Sequence, residues 1–135
     1  MTHQTVSVEL ADLTLDPSNA RRHPTRNMEA VKASLARFGQ RQVVVIQKAG
    51  MVVRAGNARV LAARELGWSH IAGIVIDEND IEAMAYALAD NRSSELAEWD
   101  LPNLSGALSA LLEANIDPEV LGWPPDEVEM LLGVE

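Results

Sequence analysis

The sequence predicts an α/β (α+β) fold, a small sheet flanked by helices, followed by a C-terminal helical extension. Three observations predict it. Strand and helix signatures alternate between residues 6 and 90. Gly39 and Gly67 fall where the first two helices should stop. Beyond Trp99 only helical spacing remains, interrupted by prolines. A chain of 135 residues fits one compact domain with a short extension. The 47% hydrophobic content can build a core, and only 4% is aromatic, so aliphatic side chains must fill it.

Val6, Val8 and Leu10 alternate with Ser7 and Glu9, the period of a half-buried strand. Leu15 to Pro24 contains two prolines and reads as an irregular loop. Asn27 is a good N-cap, Val31, Leu35 and Phe38 recur at helical spacing, and Gly39 is a C-terminal stop, so residues 28–38 are predicted helical. Val43 to Ile46 is a β-branched run, read as a buried strand. Ala49-Gly50 turns the chain, and Met51 to Val53 returns as the hairpin partner. Gly56 ends that strand, and Asn57 opens a second helix closing at Gly67. Ile71 to Ile76 is another strand. Asp80 caps a third helix to about Asp90, with Ile81, Met84, Ala85 and Leu88 on one face. Leu104, Leu108, Leu111 and Leu112 mark a fourth helix ending near Asn115, and Asp126 caps a last one through Leu132. The expected division is a domain over 1–100 and a helical extension over 101–135, packed on that domain or on a partner.

The absence of cysteine excludes disulfides, thiol catalysis and a cysteine-ligated metal. No apolar run approaches the roughly 18 residues of a membrane span, and no apolar signal segment opens the chain. The expectation is a cytoplasmic protein without a membrane partner. The net charge is −9, unevenly spread. Residues 1–64 hold ten of the eleven Lys/Arg side chains and are +6, whereas residues 65–135 are −15. This suits an anion-facing first half and an acidic second half, or simply two solvated surfaces of a soluble protein.

The segment Val53 to Gly67 reads strand, glycine turn, helix. A helix N-terminus offers unpaired N–H groups and partial positive charge. Gly56 can take positive φ and let an anion approach the backbone, Ala58 adds no bulk, and Arg59 can reach a phosphate with two parallel hydrogen bonds. These parts together make an anion site. A glycine before a helix is also an ordinary turn, and Arg59 an ordinary surface residue. Asn19, Arg21, Arg22 and His23, with Arg26 nearby, form a basic loop that either binds or is merely exposed. Asp90 and Asn91 offer oxygen ligands suited to Mg²⁺. On the residues alone, Asn91 reads more simply as a left-handed helix cap before a solvated acidic run. His3, His23 and His70 lack metal-ligand spacing and read as structural or exposed.

The order of Asp16-Pro-x-Asn-x-Arg21, Ser34-Leu35-x-x-x-Gly39, a valine-rich strand, Ala55-Gly56-Asn57-Ala58-Arg59-x-x-Ala62-Ala63-x-x-x-Gly67 and Asp90-Asn91-Arg92 resembles the N-terminal module of the ParB/sulfiredoxin superfamily over roughly residues 5–100. Gly39-Gln40, Leu88 to Arg92, Trp99-Asp100 and Gly122-Trp123 are similar to stand-alone or methyltransferase-linked ParB-like domains of phages and mobile elements. The resemblance implies a mixed sheet flanked by helices. It implies nucleotide phosphates on Gly56, Asn57, Ala58 and Arg59, with Asn19, Arg21, Gly39 and Gln40 completing the nucleotide site. It implies Mg²⁺ with the nucleotide at Asp90 or Asn91. The sequence departs from the family at Asn57 and Ala58, which replace a Glu and an Arg of its phosphate box, and at Val43, which replaces a common proline. It has no room for a helix-turn-helix and lacks the cysteine of sulfiredoxin chemistry.

Three functions follow as expectations. The first is a nucleotide- or phosphate-binding module in a DNA-related process (partition, modification or phage DNA metabolism), with slow CTPase-like hydrolysis left open and no catalytic residue assigned. The second is a non-enzymatic module that touches DNA weakly and salt-sensitively, or recruits a DNA-modifying protein. The third is a ParB-like nuclease, ranked last because clustered carboxylates are few in the basic half. Homodimer formation is a further expectation.

Overall fold

A computed structural model describes residues 1–133; the last two positions of the expected 101–135 extension lie outside the described residues. The chain forms two compact units, one over Met1–Glu95 and one beginning at Leu96. In the first, five strands make one mixed sheet in the order β1-β5-β3-β4-β2. These are β1 (Val6–Glu9), β2 (Thr14–Leu15), β3 (Val44–Gln47), β4 (Val52–Ala55) and β5 (His70–Ile76). β1 runs antiparallel to β5 and β3 antiparallel to β4, whereas β3–β5 and β2–β4 are parallel. α1 (Thr25–Phe38) and α2 (Asn57–Glu65) pack on each other and close the core. Val8, Leu35, Val44, Ile46, Val53, Val60 and Ile71 are buried there. Alanines 62 and 63 are also fully buried, and they let α2 lie close to the sheet.

Several element bounds differ from the sequence reading. α1 starts at Thr25, behind Pro24, rather than at residue 28. Proline's fixed φ suits the entry to a helix, and Pro24 sits there with φ −63°. Asn27 is therefore inside the first turn, where its Oδ1 lies 2.9 Å from His23 Nδ1. β3 extends to Gln47, whose polar side chain is buried but fully hydrogen-bonded, so it costs the strand nothing unsatisfied. α3 runs Asp80–Leu96, past the expected end at Asp90. No glycine or proline follows until Pro102, and one asparagine costs a helix interior only a few tenths of a kcal/mol, ~0.7 at most. Asn91 is thus mid-helix, not a cap. The apolar face of Ile81, Met84, Ala85 and Leu88 is not the one α3 buries. Ala83 is buried, whereas Ile81 is 69% exposed and Met84 and Leu88 are exposed.

In the second unit, α4 (Leu101–Glu113) is capped by Asp100, which accepts the Asn103 N–H at 3.1 Å. α5 (Pro125–Leu132) begins behind Pro124, with Asp126 and Glu127 in its first turn rather than Asp126 as the cap. Acids there suit the positive end of the helix dipole. α4 packs on α5, and the Trp99 and Trp123 rings meet edge to face at 5.5 Å. No helix among the described residues is long and apolar enough to cross a membrane.

Candidate phosphate site

The turn from β4 into α2 is set by one glycine. Gly56 is the N-cap, with φ 94° and ψ 25°, a region that side-chain-bearing residues avoid. A Cβ on Gly56 would also lie 2.6 Å from Val44 Cγ1 on the neighbouring strand. No side chain caps the helix start. The first intrahelical bond there is Val60 N–H to Gly56 C=O at 3.0 Å. The N–H groups of Asn57, Ala58 and Arg59 are therefore the orphan donors of a helix N-terminus.

Those residues line a cavity of about 170 Å³. The loop after β2 forms its second wall. Asp16 Oδ1 accepts the Ser18 N–H at 2.8 Å, and Asn19 Oδ1 accepts the Arg21 N–H at 3.1 Å. These two side-chain turns place Arg21 at the cavity. Arg21 Nη1 also reaches Glu95 at 2.9 Å, and Glu95 takes a second bond from Arg92 at 3.1 Å. The middle of α3 forms the third wall, through Asp90 and Asn91.

Of the residues singled out in the sequence, Asn19, Arg21, Gly56, Asn57, Ala58, Arg59, Asp90 and Asn91 come together around this one cavity. Their roles there differ. The Asn57 side chain is buried and spent on structure: Oδ1 accepts the Asp16 N–H at 3.0 Å and Nδ2 donates to Val53 C=O at 3.0 Å. Only its backbone N–H is left for an anion. Arg59 is half-buried and donates to the Gln42 side-chain carbonyl, a neutral partner. Gly39 and Gln40 do not line the cavity. Gly39 borders a neighbouring groove with Arg59 and Gln42. Gln40 bridges backbone: Nε2 donates to Ala72 C=O at 2.8 Å and Gln42 C=O at 3.0 Å, and Oε1 accepts the Ala72 N–H at 2.7 Å.

His23 of the basic loop lines the cavity too, and the structure adds Arg54 and Val31. The readable signal for Arg54 was a lone cation in the apolar strand Val52-Val53-Arg54-Ala55, two residues before the glycine. Among the described residues, no group of three or more His, Asp or Glu side chains could hold a metal by itself. A single carboxylate beside a phosphate site nevertheless fits Mg²⁺, which takes one or two carboxylates and completes its shell with phosphate oxygens and water. Asp90 would be that carboxylate.

No protein-family model matches the sequence, and no curated protein matches it. Solved structures do. The C-terminally truncated chromosome-partitioning protein ParB from Caulobacter crescentus, complexed with CTP-gamma-S, is similar with a TM-score of 0.79 at 17% identity, over 96% of this chain and 77% of that one. The chain has a ParB-like fold. The same Caulobacter protein complexed to the centromeric parS site matches with a TM-score of 0.54 at 17% identity, over 94% of this chain and 70% of that one. A Pnob8-like ParB-N domain matches at 0.56 and 14% identity, over 84% of this chain and 49% of its own length. The mixed sheet with flanking helices expected from the sequence is thus the architecture found. At these identities the ParB-like likeness is one of fold.

Proposed function

We propose that this chain is a nucleotide-binding module, anchored by phosphates at the start of α2, that works in a DNA-related process. The observation that carries the reading is the cavity itself. Orphan N–H groups from Asn57 to Arg59 and the cations Arg21, Arg54 and Arg59 converge on it. Backbone donors and guanidinium forks are the groups that bind phosphate oxygens. Support from outside the chain is that a ParB of the same fold was solved with CTP-gamma-S.

The cavity's volume of about 170 Å³ is below the roughly 300–1,000 Å³ of clefts that enclose drug-sized ligands. It suits phosphate groups, with ribose and base outside it. Gly56 lets the phosphates approach the backbone, the α2 amides orient them, and the arginines neutralise them. Mg²⁺ bound with the nucleotide would neutralise further charge, held by Asp90. Any hydrolysis would rest on such positioning and charge stabilisation. The residue opening α2 is Asn57, and its amide is committed to Asp16 and Val53, which favours binding over turnover.

The DNA setting draws support from a ParB of this fold solved on parS and from the ten cations within residues 1–64. Calorimetric titration with CTP, ATP, GTP and ADP, with and without Mg²⁺, tests the binding. The expected result is saturable binding weakened about tenfold or more in Arg59→Ala, the size of one charge-assisted contact. Absence of binding to every nucleotide near millimolar concentration overturns the reading.

A further inference from the structure

Arg54 is a largely buried cation at the cavity. It points from β4 toward the α3 side of the sheet, and its side chain is only 11% exposed. A guanidinium is always charged and carries five N–H bonds. Three are committed: Nε and Nη2 donate to Gln47 Oε1 at 3.1 and 2.8 Å, and Nη1 donates to Asp16 Oδ2 at 3.2 Å. Gln47 is itself locked, its Nε2 donating to Glu78 C=O at 3.0 Å and Asp80 Oδ1 at 2.8 Å. Asp16, with a side chain 4% exposed, is locked by the Ser18 N–H and, through its own N–H, by Asn57. So Gln47 and Asp16 hold this guanidinium in one place, with Asp80 Oδ1 4.0 Å from Nη2, and the two N–H bonds not spent on Gln47 and Asp16 remain while it lines the cavity. The Arg21 side chain is 42% exposed and pairs with Glu95, and Arg59 has a single neutral partner in Gln42.

We propose that Arg54 is the preorganised phosphate ligand of this cavity, presenting its remaining N–H bonds to one phosphate group, with Gln47 and Asp16 as positioning residues. The inference rests on the nucleotide-binding reading and assigns its anchor. Fixing a donor fork before binding removes the ordering cost that a mobile arginine carries. Gln47 does this without charge. Asp16 does it at the cost of competing with the ligand, because its carboxylate already neutralises part of the cation. Asp16 therefore attenuates phosphate affinity.

The test is calorimetric titration of the full chain with inorganic triphosphate and with CTP, both with Mg²⁺, on the wild type, Arg59→Ala, Arg54→Gln, Arg54→Lys and Asp16→Asn. Arg54→Gln is expected to weaken both ligands about tenfold or more, and Arg54→Lys to recover only part of that, since the ammonium keeps the charge without the fork. Asp16→Asn keeps the oxygen that Ser18 uses and removes the competing charge. It is expected to bind triphosphate more tightly and to show a larger ligand-induced rise in Tm than the wild type. A purely structural Arg54 would not give that sign. If the wild type binds and Arg59→Ala weakens it, while Arg54→Gln and Asp16→Asn match the wild type, the anchor role is overturned and the site survives. If Arg54→Gln does not fold, Asp16→Asn decides alone, and unchanged or weaker binding overturns the proposal. A wild type that binds neither ligand overturns the nucleotide reading, and this inference with it.

Discussion

At Gly56 a left-handed backbone and a close approach to Val44 coincide. Either alone disfavours a side chain; together they leave no room for relaxation. Gly56→Ala is expected to destabilise the protein by at least about 2 kcal/mol, from positive φ and overpacking combined. A urea midpoint indistinguishable from wild type would contradict that geometry. Tyr86 carries a second residue-scale prediction. The residue is still 40% exposed, and its pKa is raised by partial burial first, then by the carboxylates of Asp90 and Glu78. The fold thus favours the neutral phenol. That contribution is intact below the unfolded value near 10 and is lost as pH rises through the higher folded value. Tyr86 is the only tyrosine, so tyrosinate absorbance should rise at higher pH in the native protein than after unfolding, and Tyr86→Phe should lessen the alkaline loss of stability. Equal titration midpoints would contradict the burial. Which glycine mattered was legible in the sequence. That Arg54 lines the cavity was not, because strand alternation does not say what lies across the sheet from a lone cation.

At the scale of elements, Gln40 acts as a clip between the end of α1 and β5. Its amide takes the N–H and C=O of Ala72 and the C=O of Gln42. Gln40→Ala would leave partly buried backbone groups unpaired and should cost roughly 1–3 kcal/mol. Unchanged thermal and urea stability would contradict the clip. The order of strands and helices was legible from period and from glycine stops. The misplaced bounds have one common cause, that local signals do not weigh tertiary partners. Gln47 joins β3 because Arg54, Glu78 and Asp80 satisfy it. Asn91 looked like a cap, but α3 continues to Leu96, and that continuation carries Glu95 to Arg21. Asp90 and Asn91 are thereby held on a rigid element beside the cavity, a more exact placement than a frayed helix end would give.

Over the whole molecule, charge is divided more sharply than the halves of the sequence suggested. Residues 1–95 contain eleven Lys/Arg and eleven Asp/Glu, whereas residues 96–135 contain nine Asp/Glu and no Lys or Arg. The first unit is neutral overall, so its attraction for anions is local, at Arg21, Arg54 and Arg59. The second unit repels nucleic acid. Duplex binding should therefore be weak and fall steeply between about 50 and 200 mM salt. Fluorescence anisotropy with a labelled duplex checks this, and affinity insensitive to salt contradicts it. The charge asymmetry was legible in the sequence. Its resolution into a balanced unit and a wholly acidic one required the boundary at Leu96.

Phosphates seated on the first turn of α2 would perturb its amides, which amide chemical-shift mapping during addition of CTP with Mg²⁺ reads residue by residue. Saturating shifts are expected, largest at Gly56, Asn57, Ala58 and Arg59, with smaller ones at Asn19, Arg21, Asp90 and Asn91. Saturating shifts that leave residues 56–59 unmoved, or no shifts at all, would contradict that seating.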